Sequence, residues 1–148
     1  MKIVEVKDRS KILINKLVEI WEDSVKATHL FLQSEEIENI KEYVPQALQE
    51  VSNLIIAENE NNDPIAFMGI NKNKVEMLFV KNSERKKGIG KQLLNYGIEN
   101  YDVNELAVNE QNPDARGFYE YIGFKIYSRS EIDEQGNNYP ILYMRLEK

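Results

Sequence analysis

Residues 75–91 read VEMLFVKNSERKKGIGK, an apolar run that breaks into a basic turn holding two glycines and then opens a helical pattern. Val75–Val80 combines β-branched, aromatic and other apolar residues in the manner of a strand. Beyond the turn, Ile89, Leu93, Tyr96 and Gly97 share one face of a helix that the spacing extends to about Asn100. Backbone amides at such a strand-to-helix turn point out of the helix start, where the dipole is positive, and offer a pocket to phosphate oxygens. Gly88 and Gly90 let a ligand approach the main chain, and Arg85, Lys86, Lys87 and Lys91 add countercharge. A Walker A loop would need glycine in place of Arg85 and Ser or Thr in place of Gln92, and a dinucleotide fingerprint would need a third glycine at Leu93. The turn is therefore a phosphate site of another kind, or a plain tight turn.

Working outward, Leu54–Ala57, Ile65–Ile70 and Val75–Val80 read as consecutive strands of an antiparallel meander, joined by turn-rich segments around Glu60–Pro64 and Asn71–Lys74. Before them, Lys2–Lys7 suits a first strand, and Ile14, Leu17, Val18, Trp21, Val25 and Thr28 form one helical stripe. Ser34 is placed to cap a second helix whose buried stripe is Ile37, Ile40, Val44, Ala47, Leu48 and Val51, with Pro45 kinking or splitting it. After the glycine turn and its helix come a strand at Leu106–Val108 and a helix starting near Pro113 with the stripe Ala115, Phe118, Tyr119 and Ile122. Strands at Phe124–Ser128 and Ile141–Leu146 close the chain around the turn EQGNN, 134–138. The order β-α-α-β-β-β-α-β-α-β-β defines an α/β fold with a mixed sheet of six to seven strands. No repeat or linker divides it, so one domain over residues 1–148 is expected.

With 148 residues, 42% of them hydrophobic, the chain is long enough to bury roughly two thirds of its unfolded surface without crosslinks. It has no cysteine, which excludes a disulfide framework, thiolate metal sites and cysteine catalysis. One histidine and scattered carboxylates show no metal-ligand spacing, and no metal is expected. The net charge of −6 argues against general nucleic-acid binding. The deficit lies in residues 1–63, with 7 basic against 13 acidic side chains, whereas Lys81 to Lys91 carries five basic residues against one acid. No apolar run approaches a membrane span, and MKIVEVKDRS meets charge too soon for a signal-peptide core, so a cytoplasmic location without membrane partners is expected.

Leu78-Phe79-Val80 followed by Arg85-Lys86-Lys87-Gly88-Ile89-Gly90 resembles the strand and R-x-x-G-x-G loop of the GNAT N-acetyltransferases. Asn112, Ala115, Phe118-Tyr119-Glu120 and Gly123-Phe124 resemble the same family's N-x-x-A-x-x-F-Y-E-x-x-G-F segment. The likeness spans nearly the whole chain: Trp21, Ser24, Ala27-Thr28-His29 and Asn109-Glu110-Gln111-Asn112 resemble the bacterial YjaB-type acetyltransferases in particular. One departure is Asn82, where the family often has proline.

The resemblance implies a splay between the fourth and fifth strands that admits the pantetheine arm of acetyl-CoA, with Leu78, Phe79 and Val80 offering main-chain groups to it. A bulge in this strand would re-aim its amides, and one near Met77 or Leu78 would polarise the thioester carbonyl. Lys86 to Lys91, through Lys87, Gly88, Ile89 and Gly90, would wrap the pyrophosphate with main-chain amides, and Arg85 joins the cofactor-binding set with its basic side chain. Tyr119 matches the family's general acid, although it also falls on an apolar stripe. Asn112 matches a side chain that bonds the cofactor arm, or is simply a helix cap before Pro113. Glu76, expected on the same face as Leu78 and Val80, is a candidate base, as is His29. Trp21, spaced as a core residue, stands with His29, Phe31 and Tyr139 as a candidate wall for the acceptor. The implied reaction is acetyl transfer to an amine, with a small molecule expected ahead of a protein lysine, by a monomer or homodimer. A non-catalytic CoA-binding regulatory module is the alternative, and a purely structural domain would bind no acetyl-CoA at all.

Overall fold

The expected strands become a seven-stranded mixed sheet in the computed structural model, which describes residues 1–147. Strands β1 (Lys2–Glu5), β2 (Asn53–Glu58), β3 (Pro64–Asn71) and β4 (Lys74–Val80) run antiparallel in sequence order. Strand β5 (Glu105–Asn109) lies parallel to β4, and the hairpin of β6 (Phe124–Ser130) and β7 (Ile141–Leu146) completes the order β1-β2-β3-β4-β5-β7-β6.

Helices cover both faces. On one, α1 (Lys11–Thr28), α2 (Ser34–Lys41) and α3 (Val44–Glu50) pack Leu17, Trp21, Ile37 and Leu48 against Leu54, Ile56 and Phe67. On the other, α4 (Ile89–Tyr101) and α5 (Pro113–Ile122) pack Leu93, Leu94, Phe118 and Tyr119 against Ile55, Met68, Leu106 and Met144. Burial on both faces explains why β2 and β3 read as continuous apolar runs. Each such side chain removed from water contributes about 1.5–3 kcal/mol. No described helix is long and apolar enough to cross a membrane.

Two local expectations, the Ser34 cap and the full buried stripe, are corrected, and the break expected at Pro45 is present. Ser34 is the first helical residue of α2 and not its cap; Gln33 takes the cap position, its N–H bonded to Glu36 Oε1 at 2.9 Å. Pro45 splits the helix, because it has no N–H for the preceding turn, and lands near the start of α3. The break re-aims the stripe, so Ile37, Val44, Leu48 and Val51 are buried while Ile40 and Ala47 are exposed. A tie that sequence reading missed holds the end of α3: Arg9 Nη1 donates to the carbonyls of Leu48, Gln49 and Val51 at 2.6–2.9 Å.

Candidate active site

Strands β4 and β5 are paired only at their starts, Lys74 with Glu105 and Val75 with Leu106. Past these pairs they part, so Leu78–Val80 and Ala107–Asn109 face each other as open edges. Parting begins at a bulge: Gly69 registers with Met77 and Ile70 with Val75, which leaves Glu76 as an extra residue. The bulge corrects the expected orientation of Glu76. Val75, Leu78 and Val80 all pack toward α4 and α5, whereas Glu76 shares the opposite face with Lys74. Its carboxylate is one-third exposed, 3.9 Å from Lys74 Nζ, which also lies 3.4 Å from Glu134 in the β6–β7 loop.

The chain leaves β4 through a short 3-10 turn, Asn82–Glu84, and two left-handed residues, Lys86 (φ 65°) and Gly88 (φ 82°), before α4 begins. Gly88 has no side chain to cap the helix, so the amides of the first turn point outward without a side-chain acceptor at the cap. A Cβ placed on Gly90 would meet Phe118 and Val80 at 3.6 and 3.7 Å, which locates this glycine where α4, α5 and the end of β4 converge. Two of the basic side chains have partners already: Lys87 Nζ bonds Glu84 at 2.9 Å, and Lys91 Nζ sits 5.4 Å over the Tyr121 ring. Arg85 and Lys86 are the other two basic side chains of the turn.

Tyr119 lies on α5 against Phe118 and Phe124, with ring centroids 5.2 and 6.1 Å apart. Burial of its hydroxyl pushes the pKa up to about 12, so the phenol keeps its proton at neutral pH. Asn112 is 8% exposed and caps α5, its Oδ1 accepting from Ala115 N–H at 3.3 Å. Only the amide end of that side chain is left for a ligand.

The candidate acceptor residues divide. His29, at the end of α1, packs its ring tilted against Phe31 at 5.5 Å between centroids, and Phe31 likewise against Tyr139 at 5.4 Å. Tyr139 reaches back to donate its hydroxyl to Glu36, so the β6–β7 loop and the start of α2 are joined. Tyr139 directly precedes Pro140, whose carbonyl accepts from Glu110 N–H just past β5, and the aromatic group therefore stands at the open end of the splay. Trp21 does not join it. The indole is 6% exposed inside the core under α1, and its place among the acceptor residues is corrected to a packing one. Burial lowers the pKa of His29 below its ordinary value, so its imidazole is neutral at pH 7. The Thr28 hydroxyl donates to the Ser24 carbonyl and lies 2.8 Å from His29 Nδ1, which assigns the ring proton to Nδ1 and the lone pair to Nε2.

Two residues of the region received no role from sequence reading, Asn109 being quoted there only within a likeness. Asp23 of α1 bonds the N–H of Asn82 at the head of the glycine turn. Asn109 ends β5 with a buried side-chain oxygen that has no hydrogen-bond donor among the described residues. Both depend on tertiary neighbours that no local pattern encodes.

The family model described as the acetyltransferase (GNAT) domain matches residues 24–148. The peptidyl-lysine N-acetyltransferases YjaB of Salmonella typhimurium and Escherichia coli are each 38% identical to this chain over 127 residues, 86% of its length and 87% and 86% of theirs. The solution structure of apo-form YjaB from Escherichia coli matches with a TM-score of 0.87 at 35% identity, over 98% of this chain and 97% of that one. PaiA N-acetyltransferase from Thermoplasma acidophilum, in complex with coenzyme A, shares the fold at 24% identity with a TM-score of 0.69, over 98% and 99% of the two chains. The chain belongs to the GNAT acetyltransferase family.

Proposed function

We propose that this protein is an acetyl-CoA-dependent N-acetyltransferase whose acceptor is the side-chain amine of a lysine in a polypeptide. The observation that carries the proposal is the parting of β4 and β5 beside a turn of outward amides. An extended thioester arm fits an open strand edge, and its pyrophosphate end then falls at the start of α4. A lysine acceptor, in place of the small molecule expected from sequence, is supported by the names of the two relatives at 38% identity.

In this mechanism the arm pairs with Leu78, Phe79 and Val80, and the amides from Gly88 to Lys91 hold the pyrophosphate. An amide near Met77 or Leu78, turned by the bulge, donates to the thioester oxygen and stabilises the charge that gathers there. The neutral amine attacks the carbonyl carbon, forming the N–C bond. Collapse of the adduct breaks the C–S bond, and the departing thiolate takes the proton of Tyr119. The nitrogen's surplus proton leaves on the other face, where Glu76 and His29 stand as the two bases within the cleft. His29 enters the reaction neutral, as a base must.

Release of free CoA, followed across lysine peptides, polyamines, amino acids and aminoglycosides, tests the proposal. Saturable release with a peptide, and one acetyl mass on its lysine, is expected. Turnover confined to small amines would return the acceptor to that class, and acetyl-CoA binding without turnover on any amine would favour a regulatory module.

A further inference from the structure

We propose that the side-chain oxygen of Asn109 receives the acceptor amine, an inference that rests on the acetyl-transfer reading above. Asn109 is the last residue of β5, on the lip of the gap that opens beyond Leu106. Its main chain is already engaged, registering with Ile141 of β7 and accepting from Asn112 N–H at 3.0 Å. Its Oδ1 is buried and unpaired among the described residues. Folded proteins rarely leave such an oxygen without a donor, because burial strips it of water and returns nothing. A donor that arrives with substrate resolves the deficit.

The strand pattern says which substrate. Leu106 and Val108 enter the core beneath α4 and α5, so Glu105, Ala107 and Asn109 take the opposite face. Tyr119 and the glycine turn belong to the α4 and α5 side, whereas Asn109 turns toward the opposite face of the sheet, the one on which α1 and α2 pack. The oxygen therefore stands across the gap from the proton donor of the leaving group, on the approach of the nucleophile. A neutral primary amine has two N–H groups and one lone pair. Giving one N–H to Asn109 leaves the lone pair free to meet the thioester carbon, and no proton passes to the carboxamide.

The side-chain NH2 resonances of Asn109, identified in 15N-labelled protein by their loss in Asn109→Asp, report the contact by NMR. With CoA bound, n-butylamine, which is a lysine side chain without its backbone, is expected to shift this pair, and CoA alone to leave it in place. Movement on CoA alone would give the oxygen to the cofactor arm and overturn the proposal, as would no movement with either. Kinetically, Asn109→Ala is expected to raise KM for the amine about tenfold with the acetyl-CoA Kd held within about twofold, the loss of one buried hydrogen bond. Asn109→Asp keeps an accepting oxygen and should recover most of that KM. An unchanged KM in the alanine variant would overturn the proposal. Failure of the wild type to bind CoA would instead remove the acetyl-transfer reading, a result distinct from either outcome at Asn109.

Discussion

Oδ2 of Asp23 accepts the backbone N–H of Asn82 at 2.6 Å, and this bond ties α1 to the first residue of the glycine turn. Proline, common at that place in the family this chain resembles, has no N–H to give. The tie thus replaces ring stiffness with a charge-assisted hydrogen bond between two elements. Asp23→Ala is expected to weaken acetyl-CoA binding about threefold to fivefold, since the bond is exposed. Asn82→Pro should lose the bond yet hold affinity, because the ring restores the constraint. Calorimetry on both variants checks the pair, and an unchanged Kd in Asp23→Ala would remove the tie from the account.

Tyr119 provides a second test. Without its hydroxyl the departing thiolate has no positioned acid, and Tyr119→Phe is expected to lower kcat about a hundredfold with little change in acetyl-CoA Kd. Because burial holds the hydroxyl at a pKa of about 12, ionisation of this group should produce no loss of rate up to about pH 10. Stopped-time assays of CoA release across that range check both statements.

The acid side belongs to His29. Unfolded histidine takes its proton near 6.5, whereas the folded imidazole, desolvated at the end of α1, takes it only at lower pH. The folded pKa is depressed, so the unfolded chain binds more protons as the pH drops below about 6.5, and stability is lost through the folded value. His29→Gln should flatten that part of the curve. Thermal melts between about pH 8 and pH 5, compared between wild type and variant, should show the steeper fall in the wild type.

Arg9 carries a prediction about stability alone. Its guanidinium satisfies carbonyls at the end of α3, where a helix has none of its own donors left. Arg9→Ala is expected to destabilise the fold by about 2 kcal/mol, or about 5 °C in Tm for a chain of this size. Activity per folded molecule should not change, and a melt paired with a CoA-release assay separates the two.

Much of the fold was legible because its signals are local. Apolar runs between turn signals marked β2 to β4, helical stripes marked α1, α4 and α5, and Pro45 marked the break between α2 and α3. The splay came from likeness to a family and not from periodicity, which says nothing about how two strands separated by a whole helix will part. Glu76 was misplaced for a definite reason: period two assumes an unbroken ladder, and one inserted residue reverses the face of everything before it. Asn112 was read with both of its uses, and the structure shows the cap. Trp21 shared its stripe with Leu17 and Val25, and that spacing outweighed its place beside the acceptor wall. Asn109 was legible only as part of the likeness at residues 109–112 and without a role, because an unpaired oxygen is defined only by what the fold leaves away from it.

The central claim is that the glycine turn and the open edge of β4 hold acetyl-CoA, and it is tested most directly by calorimetric titration of the wild type beside Gly90→Ala. The added methyl meets Phe118 and Val80 at ordinary contact distance, so the fold accepts it. Alanine in a helix is favoured over glycine by up to about 1 kcal/mol, so the variant should melt at the same temperature or higher. The wild type is expected to bind one acetyl-CoA saturably, and the variant about tenfold more weakly because its methyl stands where the phosphate approaches the amides. No binding by the wild type, or equal affinity in the two proteins, would contradict the account.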